Sequence, residues 1–269
     1  MFNSSIHAEK LGFSHYWLAE HHGSPNYAWA NPEILLPMLA GMTSKINIGI
    51  AGQLIKHYSP YHVASTFKML ASLFPNRIDL GLAKGAVEKH LEFHFDIRRD
   101  HDRENDNEYT GMVKEIIAYL NNDHPVATSI RIKPETGYSP NLWRLSKSFN
   151  HLEEAMNLNL NYCVSAFHEA IDINQARIAL QEMEDRQWIG KPRPRINICF
   201  AGICHPHGAK PHLHDPSIAK NSFKGDVNYF RDIIYNYIEN LGVTEFTFLD
   251  LSAATKDRRD TLELLAGLL

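Results

Sequence analysis

The chain has 269 residues, a net charge of −4 and a hydrophobic content of 44%. These values are ordinary for a globular protein with a sizeable core. They argue against nucleic acid as the main partner, because phosphate binding needs a concentrated positive patch. No stretch approaches about 18 uninterrupted apolar residues, and the N-terminus lacks the basic-then-apolar order of a signal peptide, so we expect neither a membrane span nor secretion.

Short strand-like segments alternate with longer helical segments along the chain. The first predicted strand is Ser14–Glu20, and the helix after it begins at Asn31-Pro32, where an N-cap residue precedes a proline in the first turn. A second helix begins at Ser59-Pro60 and ends before Pro75. The other strands are predicted over Ile46–Ile55, Arg77–Ala83, Asn141–Leu145, Asn161–Ala166, Arg195–Ile203 and Glu245–Leu251, and the other helices over Asp102–Asn122, Phe149–Asn159, Glu169–Trp188, Asp226–Leu241 and Lys256–Leu269.

This alternation predicts the fold class. Strands that are apolar on both faces and are separated by helices indicate an α/β protein with a parallel sheet covered by helices. Seven such units at this length favour a TIM-barrel-like (β/α)8 fold over an open doubly wound sheet. Because a barrel needs eight strands and Ser4–Leu11 reads as the second half of a helix, we expect the first strand and part of the first helix to be missing. No linker rich in glycine, proline or serine divides the chain, so we predict a single domain over residues 1–269.

The first predicted strand ends in three titratable residues, Glu20, His21 and His22. Histidine at the carboxyl end of a barrel strand can act as an acid, a base or a hydrogen-bond donor near neutral pH. Position alone leaves this role and that of a polar surface turn equally open. The two histidines are poorly placed to share a metal ion, since neighbouring residues on a strand point to opposite faces.

Two further strand ends carry features of an anion site. Lys84 stands beside Gly85 after the third strand, where backbone N–H groups and a positive charge suit a phosphate, although the spacing is not that of a P-loop. The residues Ser146-Lys147-Ser148 pass from a strand into a helix, whose exposed N–H groups and hydroxyls can also bind phosphate. Taken alone, this second feature is better explained as an ordinary serine N-cap.

A histidine-rich loop over Cys204–Ser222 follows the sixth predicted strand, with His205/His207 and His212/His214 two residues apart. That spacing places two imidazoles on one face of an extended chain and is compatible with zinc. Prolines and a glycine separate the histidines, so we interpret the segment as a lid loop and expect no bound metal. A zinc-dependent barrel hydrolase is the least favoured alternative.

Together these segments resemble the bacterial luciferase-like flavin-dependent monooxygenases, in particular the compact branch with an AEHH motif. The resemblance is continuous from Leu11 to Gly85, through LGFSHYWLAEHHGSP, NPEILLPMLAGMTSKINIGIAGQLIKHYSP and VASTFKMLASLFPNRIDLGLAKG. It resumes at PNLWRLSKS and EEAMNLNLNY and ends with FKGDVNYFRDIIYNYIENLGVTEFTFLDL. This order and spacing cover most of the chain.

The resemblance implies catalytic roles at the end of the first strand. His21 matches the histidine that faces the flavin and is needed for turnover. Glu20 is then the carboxylate that orients it, while His22 begins the loop and matters less.

The resemblance also implies the residues that bind the cofactor. Ala51-Gly52 falls where the family has a non-prolyl cis peptide beside the isoalloxazine ring. Lys84 replaces an arginine that contacts the FMN phosphate, which keeps the charge but loses the bidentate fork. Ser148 matches a phosphate-binding hydroxyl, and Ser146 stands at the same strand end, so the two anion features fall on opposite sides of one phosphate.

The implied function is that of a monooxygenase that uses reduced FMN and O2 to oxygenate a small organic substrate. A separate flavin reductase is expected to supply the reduced FMN, and a homodimer is expected through the helices after the second and third strands. The three scattered cysteines fit a reducing cytoplasm. The alternative is a non-catalytic flavin-binding or structural relative that has lost activity, which the absent first strand and the lysine at position 84 favour.

Overall fold

The computed structural model describes residues 2–23, 30–85, 106–122, 130–190, 192–206 and 221–268. In these residues the strands form one curled sheet in which every pairing is parallel. The strands are β1 (His15–Leu18), β2 (Asn47–Leu54), β3 (Ile78–Ala83), β4 (Asn141–Ser146), β5 (Asn161–Ser165), β6 (Ile196–Cys204), β7 (Phe223–Gly225) and β8 (Glu245–Asp250). The seven predicted strands are confirmed, and β7 is a short addition that the sequence analysis missed.

The strands pair in chain order from β1 to β6. On its other side, β6 pairs with two strands: β8 along residues 197–202 and β7 along residues 202–204. Among the described residues, β1 pairs only with β2 and β8 pairs only with β6. The predicted α/β class with a TIM-barrel-like sheet is therefore confirmed, with an open side between β1 and β8.

Helices alternate with the strands along the chain. They are α1 (Phe2–Leu11), α2 (Leu36–Gly41), α3 (Pro60–Leu73), α4 (Asp106–Asn121), α5 (Leu152–Asn157), α6 (Ile173–Asp185), α7 (Val227–Leu241) and α8 (Thr255–Ala266). The start of α7 is fixed by Asp226, whose carboxylate accepts a hydrogen bond from the backbone N–H of Tyr229. Its end is fixed by Gly242, whose φ of 66° is the left-handed conformation that glycine adopts without a steric cost. None of the helices in the described ranges is long and apolar enough to cross a membrane.

Alternate residues of each strand face the helices and the interior of the curled sheet. On β6, Phe200 stacks on Phe230 of α7 with the ring centroids 6.0 Å apart, so it faces the helices. Its neighbours Cys199 and Ala201 therefore face the interior. The main apolar core lies in the layer between the sheet and the helices, where side chains such as Ile48 are completely buried.

The amino ends of the strands are filled by a hydrogen-bonded group that we call the floor: His15, Trp17, Asp79, Asn141 and Trp143. Asp79 is completely buried, and its Oδ2 accepts from His15 Nδ1 at 2.7 Å and from Trp17 Nε1 at 2.8 Å. Its Oδ1 accepts from Asn141 Nδ2 at 2.9 Å, and the rings of Trp17 and Trp143 meet edge to face at 5.1 Å. The floor occupies one end of the interior and leaves the carboxyl ends of the strands as the face for a ligand site.

A side-chain bridge crosses the open side of the sheet near the floor. Arg195, which precedes β6, donates from Nε and Nη2 to the Glu245 carboxylate at 2.7 and 2.8 Å. Its Nη2 also lies 2.9 Å from His15 Nε2. Because a guanidinium can only donate, His15 Nε2 is the acceptor and its Nδ1–H donates to the floor. Arg195 thus joins β1 to β8 where no backbone pairing is seen in the described chain.

Candidate active site

The residues predicted to form the site collect at one edge of the sheet. The tripeptide Glu20-His21-His22 follows β1, Ala51-Gly52 lies in the upper half of β2, Lys84 follows β3, and Ser146–Ser148 ends β4 and begins the next helical turn. Parallel strands present their carboxyl ends at the same edge, so these residues come together there. We call this edge the rim.

The Glu20 side chain is held at the rim by several hydrogen bonds. Its side chain is buried, and Oε2 accepts a hydrogen bond from the backbone N–H of Leu54 at 2.8 Å. Oε1 accepts from the Tyr58 hydroxyl at 2.6 Å and lies 2.7 Å from His22 Nε2. The Glu20 carboxylate therefore contacts His22, the histidine that was expected to matter less. His21 is exposed at the rim. The sequence analysis also missed Tyr58, which comes 38 residues after Glu20.

A second carboxyl group, that of Glu33, lies near Glu20. Burial raises the pKa of Glu33, and the negative charge of Glu20 raises it further. The pKa of Tyr58 is raised as well, by burial first and then by its hydrogen bond to Glu20, so Tyr58 keeps its proton throughout the ordinary pH range. The Glu33 carboxyl and the Tyr58 hydroxyl therefore both keep their protons to a higher pH than they would in water.

The peptide bond between Ala51 and Gly52 is cis, as predicted. A Cβ atom at position 52 would lie 2.4 Å from Leu145 Cδ1 and 2.8 Å from Ala83 Cβ, so the neighbouring strands leave no space for a side chain. Glycine is therefore required here by the close approach of β3 and β4. The position of this bond beside a flavin stays a prediction.

The two predicted anion-binding features lie on neighbouring strands, because β3 pairs with β4. Lys84 is partly exposed. Ser148 is the N-cap of the helical turn that it precedes, and its Oγ accepts from the backbone N–H of Asn150 at 3.4 Å. This confirms the N-cap interpretation, and a hydroxyl that accepts there still has its own hydrogen to donate to a ligand.

A serine–histidine pair at the end of β5 was missed by the sequence analysis. Ser165 Oγ lies 2.7 Å from His168 Nδ1 and donates to the backbone carbonyl of Ser146 at 3.1 Å. Burial lowers the pKa of His168, and the positive charges of Lys147 and His21 lower it further. The pair therefore lies within electrostatic reach of two residues at the rim. The only signal in the sequence is a histidine three residues after a strand-end serine.

The interior above the floor has an apolar wall, a cluster separate from the main core. It contains the buried side chains of Phe167, Ala201, Ile203 and Leu251, with Cys199 and Leu249 packed against them. Burial raises the pKa of the Cys199 thiol to about 12, so this cysteine is uncharged at neutral pH. Such a wall suits an aromatic ring or an apolar substrate.

A cavity of about 320 Å³ lies at the opposite end of the molecule, among residues of α6, α7 and the amino ends of β6 and β8. Its arginines all have acceptors. Arg177 donates to the Asn240 carbonyl at 3.0 Å, Arg193 pairs with Glu184, and Arg195 pairs with Glu245. We assign no site to this cavity.

The histidine-rich loop is the segment whose histidine spacing is compatible with a metal ion. His205 is held by a hydrogen bond from its backbone N–H to the Gly225 carbonyl at 2.9 Å, while His207, His212 and His214 lie outside the described residues. Within the described ranges, no group of three or more histidine, cysteine, aspartate or glutamate side chains is arranged to hold a metal ion.

We predict that the purified protein contains no stoichiometric metal, because neither the spacing of the histidines nor their surroundings fix a tetrahedral set of ligands. Elemental analysis after gel filtration checks this. One zinc per chain, lost in both His205→Ala and His212→Ala, would contradict the prediction.

Comparison with known proteins gives consistent matches. The profile of a family described as luciferase-like monooxygenase matches residues 5–208. A luciferase-like monooxygenase of Escherichia coli K12 is 29% identical over 201 residues, which cover 73% of this chain and 56% of that protein. The N-acetyl-S-alkylcysteine monooxygenase of Bacillus subtilis is 29% identical over 163 residues, which cover 60% of this chain and 48% of that protein. The chain spans about half the length of the curated relatives it matches.

Solved structures extend the likeness of the fold. Apo-MsnO8 superposes with a TM-score of 0.79 at 22% identity, covering 99% of this chain and 91% of that chain. The oxygenating constituent of 3,6-diketocamphane monooxygenase from Pseudomonas putida, solved in complex with FMN, gives 0.73 at 14% identity, covering 98% and 90%. An F420-dependent secondary alcohol dehydrogenase gives 0.70 at 15% identity, covering 100% and 93%. At these identities the likeness concerns the fold alone.

Proposed function

Because the chain belongs to the luciferase-like monooxygenase family, whose profile matches residues 5–208, we propose that it uses reduced FMN and O2 to oxygenate a small organic substrate. The observation that carries the proposal is the rim itself. There, a histidine follows β1, a glycine that tolerates no side chain lies in the upper half of β2, and a lysine and a serine N-cap follow β3 and β4. These are the parts that a flavin needs at its reactive edge, its ring and its phosphate.

The residues at the rim fit a flavin by their chemistry. When bound, the flavin supplies the electrons and the centre at which O2 is activated. Lys84 and Ser148 would offer a positive charge and a hydroxyl donor to its phosphate. The apolar wall around Phe167 would exclude water, and His21 would hold or move a proton at the edge of the ring.

We choose FMN over a deazaflavin, although the neighbouring structures include both types of cofactor. The 3,6-diketocamphane enzyme was solved with FMN, whereas the secondary alcohol dehydrogenase depends on F420. The AEHH motif over Ala19–His22 supports FMN through the family branch that it resembles.

The proposal includes a transient flavin reductase as partner and a homodimer as assembly. Apolar side chains exposed on α3 support the dimer, since Met69 and Leu73 are one turn apart on the same face and are 46% and 61% exposed. Cys163, Cys199 and Cys204 are all free thiols, which supports placing the protein in the cytoplasm.

The function is tested by isotope incorporation. The purified protein is supplied with FMN, NADH, a flavin reductase and ¹⁸O2, and N-acetyl-S-alkylcysteines and cyclic ketones serve as first substrates. Transfer of one ¹⁸O atom to a substrate, dependent on the protein, supports the proposal. A protein that binds FMN and releases all the consumed oxygen as hydrogen peroxide with every substrate would favour the non-catalytic alternative.

We predict that Lys84→Ala weakens FMN binding by about 10-fold or more, because a hydrogen bond to a charged group contributes about 1.5–3 kcal/mol. Lys84→Arg should bind FMN at least as tightly as the wild type, because a guanidinium adds a second donor. Fluorescence titration measures both, with riboflavin as the ligand that lacks the phosphate. A Lys84→Ala protein that loses FMN and riboflavin affinity equally would contradict a phosphate contact, and the exposed Lys10→Ala serves as control.

A further inference from the structure

The contacts of Ser165 determine which nitrogen of His168 carries a hydrogen. Its hydroxyl donates to the Ser146 carbonyl at 3.1 Å and lies 2.7 Å from His168 Nδ1. A hydroxyl has one hydrogen, so it cannot donate to both partners. Only the tautomer with a hydrogen on Nδ1 supplies a donor for each contact, and in that tautomer Nε2 has a free lone pair.

The charge state of His168 agrees with this tautomer. Burial lowers its pKa, and two positive charges lower it further: that of Lys147, the residue after β4, and that of His21, which follows β1. His168 is therefore neutral at neutral pH. It presents Nε2 as a hydrogen-bond acceptor at the rim, where Lys84 and Ser148 carry hydrogens to donate.

The position of His168 indicates which part of a bound flavin nucleotide would lie near Nε2. It is tied through Ser165 to Ser146, on the side of the proposed phosphate contacts, and it is near His21, on the side of the proposed ring contact. Its ring lies 4.2 Å from that of Phe167, which belongs to the apolar wall. In a flavin nucleotide, the part between ring and phosphate is the ribityl chain, which carries hydroxyl groups.

We propose that His168 Nε2 accepts a hydrogen bond from a ribityl hydroxyl of the bound flavin, and that Ser165 fixes the tautomer that makes this possible. The inference rests on the proposed function, since it requires a flavin at the rim. It assigns to the end of β5 a contact that recognises neither the ring nor the phosphate. It also gives a role to the contact between the other ring nitrogen, Nδ1, and a strand-end serine.

The test compares three ligands that differ in the relevant part: FMN, riboflavin, which lacks the phosphate, and lumiflavin, which lacks the ribityl chain. His168→Asn keeps a polar group near the position of Nδ1 and removes Nε2, whereas His168→Gln places an amide near the position of Nε2. Dissociation constants are measured by flavin fluorescence, and circular dichroism verifies that each variant is folded.

We expect His168→Asn to weaken FMN and riboflavin by about 5- to 10-fold each, the scale of one hydrogen bond, and to leave lumiflavin within about 2-fold. His168→Gln should retain most of the affinity for FMN and riboflavin. An equal loss for lumiflavin, or no loss for riboflavin in His168→Asn, would overturn the inference. A wild-type protein that binds none of the three flavins would instead reject the proposed function, and the inference with it.

The tautomer is tested separately by long-range ¹H–¹⁵N spectra of histidine-labelled protein without ligand. We expect the His168 signals to show a protonated Nδ1 and an unprotonated Nε2 at neutral pH. Ser165→Ala should shift the signals toward a mixture of tautomers. A hydrogen on Nε2 in the wild type would overturn the inference, whatever the binding data show.

Discussion

His21→Ala is expected to lower product formation by about 100-fold or more, the scale of losing a group that transfers a proton. The reason is its position, since His21 is exposed at the rim beside the proposed ring site while its neighbours Glu20 and His22 bond to each other. Affinity for FMN should change little, because the proposed phosphate contacts, Lys84 and Ser148, follow other strands. Product is measured by mass spectrometry in the coupled assay with a flavin reductase.

Two controls separate catalysis from structure. His22→Ala removes a partner of the buried Glu20 carboxylate, so we expect a milder loss of activity together with a lower midpoint of thermal unfolding. His7→Ala, on α1, should leave product formation largely unchanged, because its ion-pair partner Glu263 belongs to α8 and not to the rim. Equal product formation by the wild type and His21→Ala would refute the catalytic assignment.

Asp79→Ala is expected to destabilise the protein by about 3–5 kcal/mol, because three donors in or beside the buried floor lose their acceptor and each unpaired buried donor costs about 1–3 kcal/mol. The floor donors His15 Nδ1, Trp17 Nε1 and Asn141 Nδ2 would all lose their acceptor. Asp79→Asn should cost less, because its amide oxygen still accepts from one side. Urea unfolding followed by tryptophan fluorescence gives the difference in the free energy of unfolding.

A matched surface change calibrates this result. Asp185 accepts a hydrogen bond from Gln181 one turn earlier on α6 and is exposed, so Asp185→Ala should change the free energy of unfolding by about 0.5 kcal/mol or less. If Asp79→Ala costs no more than Asp185→Ala, the floor does not carry the stability that its burial and bonding imply.

The order of elements follows from local patterns, which explains why all seven strands were predicted to within two residues at each end. Apolar periodicity, N-caps such as Asp226 and breakers such as Gly242 act within one turn or one strand of the residue concerned. The strand β7 escaped because three residues, Phe223–Gly225, are too few to show an alternation, and because it is defined by its pairing with β6.

The contacts of the site were predicted less well, because they join residues that are distant in the sequence. The cis bond at Ala51-Gly52 was found through family resemblance. The partners of Glu20 were not, since Leu54 and Tyr58 come 34 and 38 residues later, and His22 is its partner only in the folded chain. Adjacent histidines look equivalent in a sequence, and only the packed structure distinguishes the buried one from the exposed one.

The floor has a consequence for how the protein can be altered. Its hydrogen bonds are made at the amino ends of the strands, whereas every proposed ligand contact is made at the carboxyl ends. Residues of the apolar wall such as Phe167 and Ile203 can therefore be randomised in a library without touching the Asp79 network. Selection for a new substrate would change side chains at the carboxyl ends of the strands, while the stabilising hydrogen bonds at the amino ends stay unchanged. The rim is therefore a tolerant starting point for directed evolution.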